Sequence, residues 1–304
     1  MHTHHHHGAT GKRLQLSLLA TVAFVVVEIV SGLKAHSLAL LSDAGHNFTD
    51  ALALLLAWFA FYIESRPASA TKTYGYQRAG VLAAFVNALT LVVLSGFIFY
   101  ESYQRFLTPE PVAEYIMLGV ATAGLVVNVG IMLALHAASR HDLNIRSAFV
   151  HMLGDALGSV GIIIGAVFIH WTRYYWIDPL LSVVIGVLIL WTAWGIIKES
   201  LNILLEGLPR GIQLDAVVAE VRRLPGVIDV HDVHIWSLAS HTHALSCHVL
   251  IEDVPLSASE SILRSVNDLL GRRFDITHTT VQFEHALCEI SASGCGPSRQ
   301  DSHE

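Results

Sequence analysis

The sequence predicts a six-span α-helical membrane domain followed by a small α+β domain, and three observations carry that reading. Of the 304 residues, 53% are apolar and only 14% are charged, against roughly 25% charged in an ordinary soluble domain. Six apolar runs reach the length of about 20 residues that a helix needs to cross a bilayer. From Leu208 onward the composition changes to that of a small soluble domain.

The chain starts with a His-rich segment, 1–13, holding His2 and His4 to His7. It reads equally as a purification remnant and as a native metal-gathering tail. The membrane domain, 14–207, has its spans at 14–34, 38–63, 79–106, 113–138, 145–170 and 177–204. The third contains an uncharged run from Ala79 to Tyr100. The first has too long an apolar stretch, with too many spans after it, to be a cleaved signal peptide. With the N-terminus inside, the inner segments hold Lys12, Arg13, Arg66, Lys72, Arg78, Arg140, Arg146 and Lys198. The outer segments hold Lys34, Arg105 and Arg173. That excess of basic residues places both termini in the cytoplasm. No nucleic-acid partner is expected; the lipid bilayer is.

The soluble domain, 208–290, has a legible order. Leu214, Val217, Val218, Val221 and Leu224 recur at helical spacing. The "LPGV" that follows is a turn. Val230 to Leu238 and His243 to Glu252 read as two strands joined by a hairpin. Ser257 followed by Glu260 gives a capping signature ahead of a helical apolar stripe. His278 to Glu284 is a third strand. The order α-β-β-α-β implies two helices on a three-stranded sheet. Cys247, Cys288 and Cys295 all fall here, where a cytoplasmic setting disfavours disulfides. Cys247 reads as an ordinary core residue, whereas Cys288 and Cys295 suit a metal or an exposed thiol. The polar tail 291–304 reads as disordered.

Charge inside a bilayer costs roughly 2.5–3.5 kcal/mol per residue on insertion scales, so the ionisable residues within the spans call for a reason. Glu28, Asp43, His46, Asp50, His151 and Asp155 are such residues, and Asp178 lies near a span end. His46 and Asp50 are four apart, as are His151 and Asp155, which puts each pair on one helix face. Both pairs continue as Asp-Ala-Leu. They occupy the second and fifth spans, which cross the membrane in opposite directions. Facing each other, they form an N2O2 set suited to tetrahedral zinc, with cobalt, iron, manganese and cadmium also admitted. Two aspartates neutralise a divalent ion. Ligands must be deprotonated to bind metal, so ions and protons compete for the site, as in an antiporter. One pair alone would read as a satisfied structural contact; its repetition favours a shared metal site. Asp43, three residues before His46, reads as a residue beside the ligands or on the ion's path. Glu28 stays open between a structural role and a proton path.

Two other classes compete. A bis-histidine haem protein built on His46 and His151 leaves both aspartates unexplained. A zinc-dependent intramembrane hydrolase lacks a His-Glu-x-x-His motif, and four protein ligands leave no position for water.

The motifs resemble those of the cation diffusion facilitators, most closely the bacterial zinc/cadmium efflux branch. The stretches are "SLALLSDAGHNFTD" (Ser37 to Asp50), "YGYQRAGVLAAFVNAL" (Tyr74 to Leu89), "NIRSAFVHMLGDALGSVG" (Asn144 to Gly161), "DPLLS", "LLEG", "VHDVHIWSL" and "THTTVQFE". The resemblance implies a transporter with a ferredoxin-like cytoplasmic domain, acting as a homodimer by alternating access and exchanging Zn2+ for H+ across a bacterial inner membrane. It makes His46, Asp50, His151 and Asp155 the transport site, and His46 leans toward zinc. It makes Arg78 and Glu206 an ion pair, and His231, His248, His278 and Glu284 a regulatory zinc cluster, with Cys288 as an added ligand. The ordinary reading of His241 and His243 is kept. Two departures stand out. Gly80 replaces the family's usual Glu, and the loop from Ile63 to Gln77 has no His, so no metal is expected there.

Overall fold

The structure is a computed structural model that describes residues 22–136, 143–239 and 242–286; side chains at 134–136, 143–151 and 256 fall outside the description. Helix α1 is described over 22–35. It is followed by α2 (Leu38–Glu64), α3 (Ala79–Leu107), α4 (Glu114–His136), α5 (Leu143–Thr172) and α6 (Ile177–Leu204). Among the described residues, α2 to α6 are long and apolar enough to cross a membrane. The expected second to sixth spans fall on these helices with ends shifted by no more than two residues. The first expected span, 14–34, is described only from residue 22, where it is helical. The His-rich segment, Cys288, Cys295 and the tail 291–304 lie outside the described residues.

The chain forms two compact units. One takes Val86–Ile197 and the segment that ends at Trp58; the other takes Phe59–Phe85 and the segment that begins at Lys198. In the first, Ala39 and Leu40 of α2, Met117 and Ala121 of α4, and Ile162, Ala166 and Ile169 of α5 form a buried apolar cluster. Helices α5 and α6 approach closely at Gly165, where an added Cβ would clash with the Leu181 side chain.

The start of α2 is fixed by a residue far along the chain. His36 adopts a left-handed conformation (φ 52°) and breaks the helical path. The exposed N–H groups of the new helix then meet Asp178 of α6. Its carboxylate accepts from Ser37 Oγ at 2.6 Å, Leu38 N at 2.6 Å and Ala39 N at 3.3 Å. The first N–H groups of any helix lack intrahelical partners, and a negative charge suits the positive end of the helix dipole. Asp178, the second residue of α6, is fully buried because it satisfies that helix end. Arg105 of α3 lies 3.8 Å from its carboxylate and donates to the carbonyl of His36.

The second unit contains α7 (Leu214–Arg222), β1 (Val227–Ala239), β2 (Thr242–Ile251), α8 (Leu256–Phe274) and β3 (Ile276–Glu284). The sheet order is β1-β2-β3. β1 and β2 pair antiparallel and β2 and β3 pair parallel, with α8 as the crossover. Leu245, Cys247, Val249 and Ile251 alternate along β2 and pack against Val217 and Val221 of α7 and Ile262, Val266 and Leu270 of α8. The expected order of elements is observed. The capping signature is corrected: α8 begins at Leu256 with Pro255 as N-cap and no side-chain cap. Ser257 is already inside the helix, because Pro255 pre-sets the backbone and its carbonyl accepts from Ala258 and Ser259.

Candidate metal centres

His46 and Asp50 lie on α2 one turn apart, so their side chains share a face. His46 Nε2 is 3.7 Å from Asp50 Oδ2. It is 3.8 Å from Asp155 Oδ1 of α5. Asp155 is buried, with 8% of its side chain exposed. Bonds of 2.0–2.2 Å to a tetrahedral ion place its ligand atoms about 3.3–3.6 Å apart. Each carboxylate thus stands from the imidazole at close to that spacing. His151 occupies α5 one turn before Asp155, and its side chain lies outside the described residues.

Behind this group sit further carboxyls. Asp43 is buried on α2 and Glu28 is 1% exposed on α1. Asn47 Nδ2 donates to Glu28 Oε2 at 2.9 Å, and the Glu28 and Asp43 carboxyls interact directly. Asp43 therefore faces Glu28 on α1.

In the C-terminal unit the strand register does the assembling. His231 of β1 pairs directly with His248 of β2. His248 pairs with Gln282 of β3, and Glu284 follows two residues on. With a side-chain period of two, these residues lie on one sheet face, opposite the face that Cys247 and Val249 turn toward the helices. His248 Nδ1 is 2.9 Å from Glu284 Oε1, and His231 Nε2 is 3.2 Å from Glu284 Oε2. Among the described residues, His231, His248 and Glu284 offer three ligand atoms within 4.8 Å of one another. Both ring nitrogens of His231 are buried and make no hydrogen bond. Buried polar atoms in folded proteins nearly always have partners, so this donor set fits a borderline metal such as zinc.

His278 is not brought to this trio. Strands β1 and β3 run in opposite directions, so their starts lie at opposite ends of the sheet. His278 pairs with Ala244 and Glu284 with Leu250, a separation of six residues or roughly 20 Å along a strand. His278 Nε2 instead lies 3.5 Å from Tyr74 Oη. Cys288 lies outside the described residues. One acid escaped the sequence reading: Asp232, in a left-handed conformation (φ 49°) at a register shift in β1. The shift turns its carboxylate to 3.1 Å from His234 Nε2 and 3.7 Å from His248 Nε2. Its place beside His231 was the available signal. His243 pairs with Ser237, Nδ1 to Oγ at 3.1 Å.

Arg78 Nη2 donates to Glu206 Oε1 at 3.1 Å, with 35% and 64% of the two side chains exposed. At the departure Gly80, the backbone N–H donates to Glu64 Oε1 at 2.9 Å. Burial pushes the Cys247 thiol up to about 11.

Residues 14–205 match the family described as the cation efflux transmembrane domain, and residues 209–286 match the cation efflux protein cytoplasmic domain. The chain is 40% identical to the cation efflux system protein CzcD of Alcaligenes sp. (strain CT14), over 95% of this chain and 91% of that protein. It is 41% identical to the zinc transporter ZitB of Pectobacterium atrosepticum, over 95% and 90%. It is 38% identical to the cadmium, cobalt and zinc/H(+)-K(+) antiporter of Bacillus subtilis, over 92% and 91%.

Proposed function

The chain belongs to the cation efflux family, and from that premise we propose that it is a multi-pass membrane transporter expelling Zn2+ from the cytoplasm by exchange for protons. Cadmium, cobalt and iron are competing substrates. The observation that carries the reading is His46 Nε2 within 3.8 Å of carboxylates on two different spans, Asp50 and Asp155. Two carboxylates cancel a dication in a medium where a lone charge is costly. Once the ion leaves, the same groups repel, and protons restore neutrality. Exchange follows from that alternation.

His46, Asp50, His151 and Asp155 form the transport site in this reading. Asp43 and Glu28 extend it with further proton-accepting oxygens. The membrane domain is 14–207 and the cytoplasmic domain 208–290, with both termini in the cytoplasm. The cytoplasmic domain and the membrane helices pair two copies into a homodimer. Zinc at His231, His248 and Glu284 biases that pair when cytoplasmic zinc rises, and the Arg78–Glu206 pair links the membrane and cytoplasmic segments. The donor chemistry of the trio supports this role.

The test is flux into vesicles loaded with a zinc dye, under an imposed pH gradient. Wild type is expected to respond to the gradient. Asp50→Ala and Asp155→Ala are each expected to lose about ten-fold or more in zinc affinity, the scale on which metal-site losses fall. Flux that ignores the gradient, or full activity in both variants, overturns the mechanism.

A further inference from the structure

The second unit contains a cavity of about 1050 Å³ that the transport reading does not use. Its apolar wall is formed by the ends of membrane-length helices, with Ile63 of α2, Leu82 of α3 and Leu204 of α6. Leu82 is 54% exposed, so this wall continues onto a surface suited to acyl chains. The facing wall comes from the outward side of the sheet, with His234, Trp236 and Ser246. Between them runs the segment from Lys72 to Ala79.

The polar groups have a definite sign. Lys72 and Arg78 line the cavity, and Glu206 is the carboxylate that lines it. Glu206 is already engaged by Arg78. Lys72 Nζ sits over the Tyr76 ring, 5.3 Å from its centroid, and among the described residues no carboxylate is recorded against it. One cation is thus held in place by an aromatic face and left with its hydrogen-bond donors available. Tyr74, Tyr76 and Trp236 add amphipathic rings of the kind that sit at membrane headgroup level. A volume of this size accommodates a ligand of several hundred daltons.

An apolar wall leading to helix ends, a ring of Tyr and Trp, and a surplus cation together describe a phosphodiester with hydrocarbon attached. We propose that this cavity is a binding site for the headgroup of an anionic phospholipid. The phosphate meets Lys72, and the acyl chains run over Leu82 along α3. Basic groups beside an anionic leaflet gain affinity from its surface potential. The site adjoins the Arg78–Glu206 pair, so lipid there steadies the cytoplasmic segment that the pair holds. The inference rests on the transporter reading only for the side of the membrane that the cavity faces.

The test is native mass spectrometry of the full-length protein released from bilayers that mix phosphatidylglycerol with phosphatidylcholine. Wild type is expected to retain phosphatidylglycerol about five-fold over phosphatidylcholine, the scale of one basic residue near an anionic surface. Lys72→Glu is expected to bring the two to parity, and Lys72→Arg to keep the preference. Lys72 lies in a loop, and circular dichroism confirms that each variant folds. Equal retention of both lipids by wild type, or an unchanged preference in Lys72→Glu, overturns the site. Displacement by millimolar glycerol 3-phosphate or inorganic phosphate also overturns it, since the ligand is then a free anion. So does exclusion of lipid from the wild-type dimer alone, which assigns the cavity to a second copy of the chain. None of these readouts measures transport, so failure of the antiport mechanism is seen separately.

Discussion

Asp178 of α6 accepts the backbone N–H of Leu38 at 2.6 Å, so the helix that carries His46 and Asp50 begins on a carboxylate 140 residues away. The same carboxylate takes Ser37 and Ala39, and Arg105 stands 3.8 Å from it. The cap fixes where α2 starts and therefore the height at which its ligands sit. Asp178→Ala is expected to cost about 3 kcal/mol, because it removes charge-assisted hydrogen bonds and leaves Arg105 without its buried partner. Thermal unfolding of the purified protein in detergent checks this. Zinc affinity at the transport site is expected to fall with it, and Asp178→Asn, which keeps an acceptor, to fall less.

The cytoplasmic trio makes a separate claim on metal. Glu284→Gln removes the carboxylate that approaches both His231 and His248. The full-length protein is expected to bind less zinc per chain, with transport-site binding retained. Lowering pH is expected to reduce zinc binding by wild type at both the transport site and the cytoplasmic trio, since protons compete with metal for imidazoles and carboxylates alike. His278→Ala is expected to leave the zinc content unchanged, because His278 lies at the far end of the sheet. Metal analysis after dialysis reads all three.

Cys247 is 3% exposed, and its thiol is pushed up to about 11 by burial. The folded protein therefore holds the proton more tightly than the unfolded chain, whose thiol titrates near 9.0. The stability linked to this group is full below about pH 9 and is lost as pH rises toward 11. Maleimide labelling of Cys247 at neutral pH is expected only on unfolding, since the thiolate is the reactive form.

At Gly80 an added Cβ would lie 2.8 Å from Glu64 Oε1. That atom is the end of a flexible side chain, so Gly80→Ala is expected to be nearly neutral. Gly80→Glu sets a second carboxylate beside Glu64, at an expected cost of about 1–2 kcal/mol. Glu64→Gln in the same chain is expected to recover most of it. Denaturation midpoints of the three variants decide the matter.

The Arg78–Glu206 pair is largely exposed, and exposed pairs contribute about 0.2–1 kcal/mol. Arg78→Glu is accordingly expected to impair transport more than stability. Adding Glu206→Arg to it is expected to restore flux, while Glu206→Arg alone does not exceed wild type.

What the sequence determined by itself is what depends on near neighbours along the chain. Apolar runs located α2 to α6, because bilayer thickness sets helix length. Periodicity located the order of the C-terminal elements. The spacing of four residues put His46 with Asp50 on one helix face. What only the tertiary structure decided depends on which distant segments meet. Asp178 read only as an acid near a span end, and the structure makes it the buried cap of another helix. His278 looked like a partner of His231, yet the crossover through α8 makes β3 parallel to β2 and sends His278 to the other end of the sheet. Asp232 reaches His248 because a register shift and a left-handed backbone turn it there. Local periodicity sets a helix or a strand, but pairing register and capping across 140 residues are set by packing, and no short stretch of chain encodes them alone.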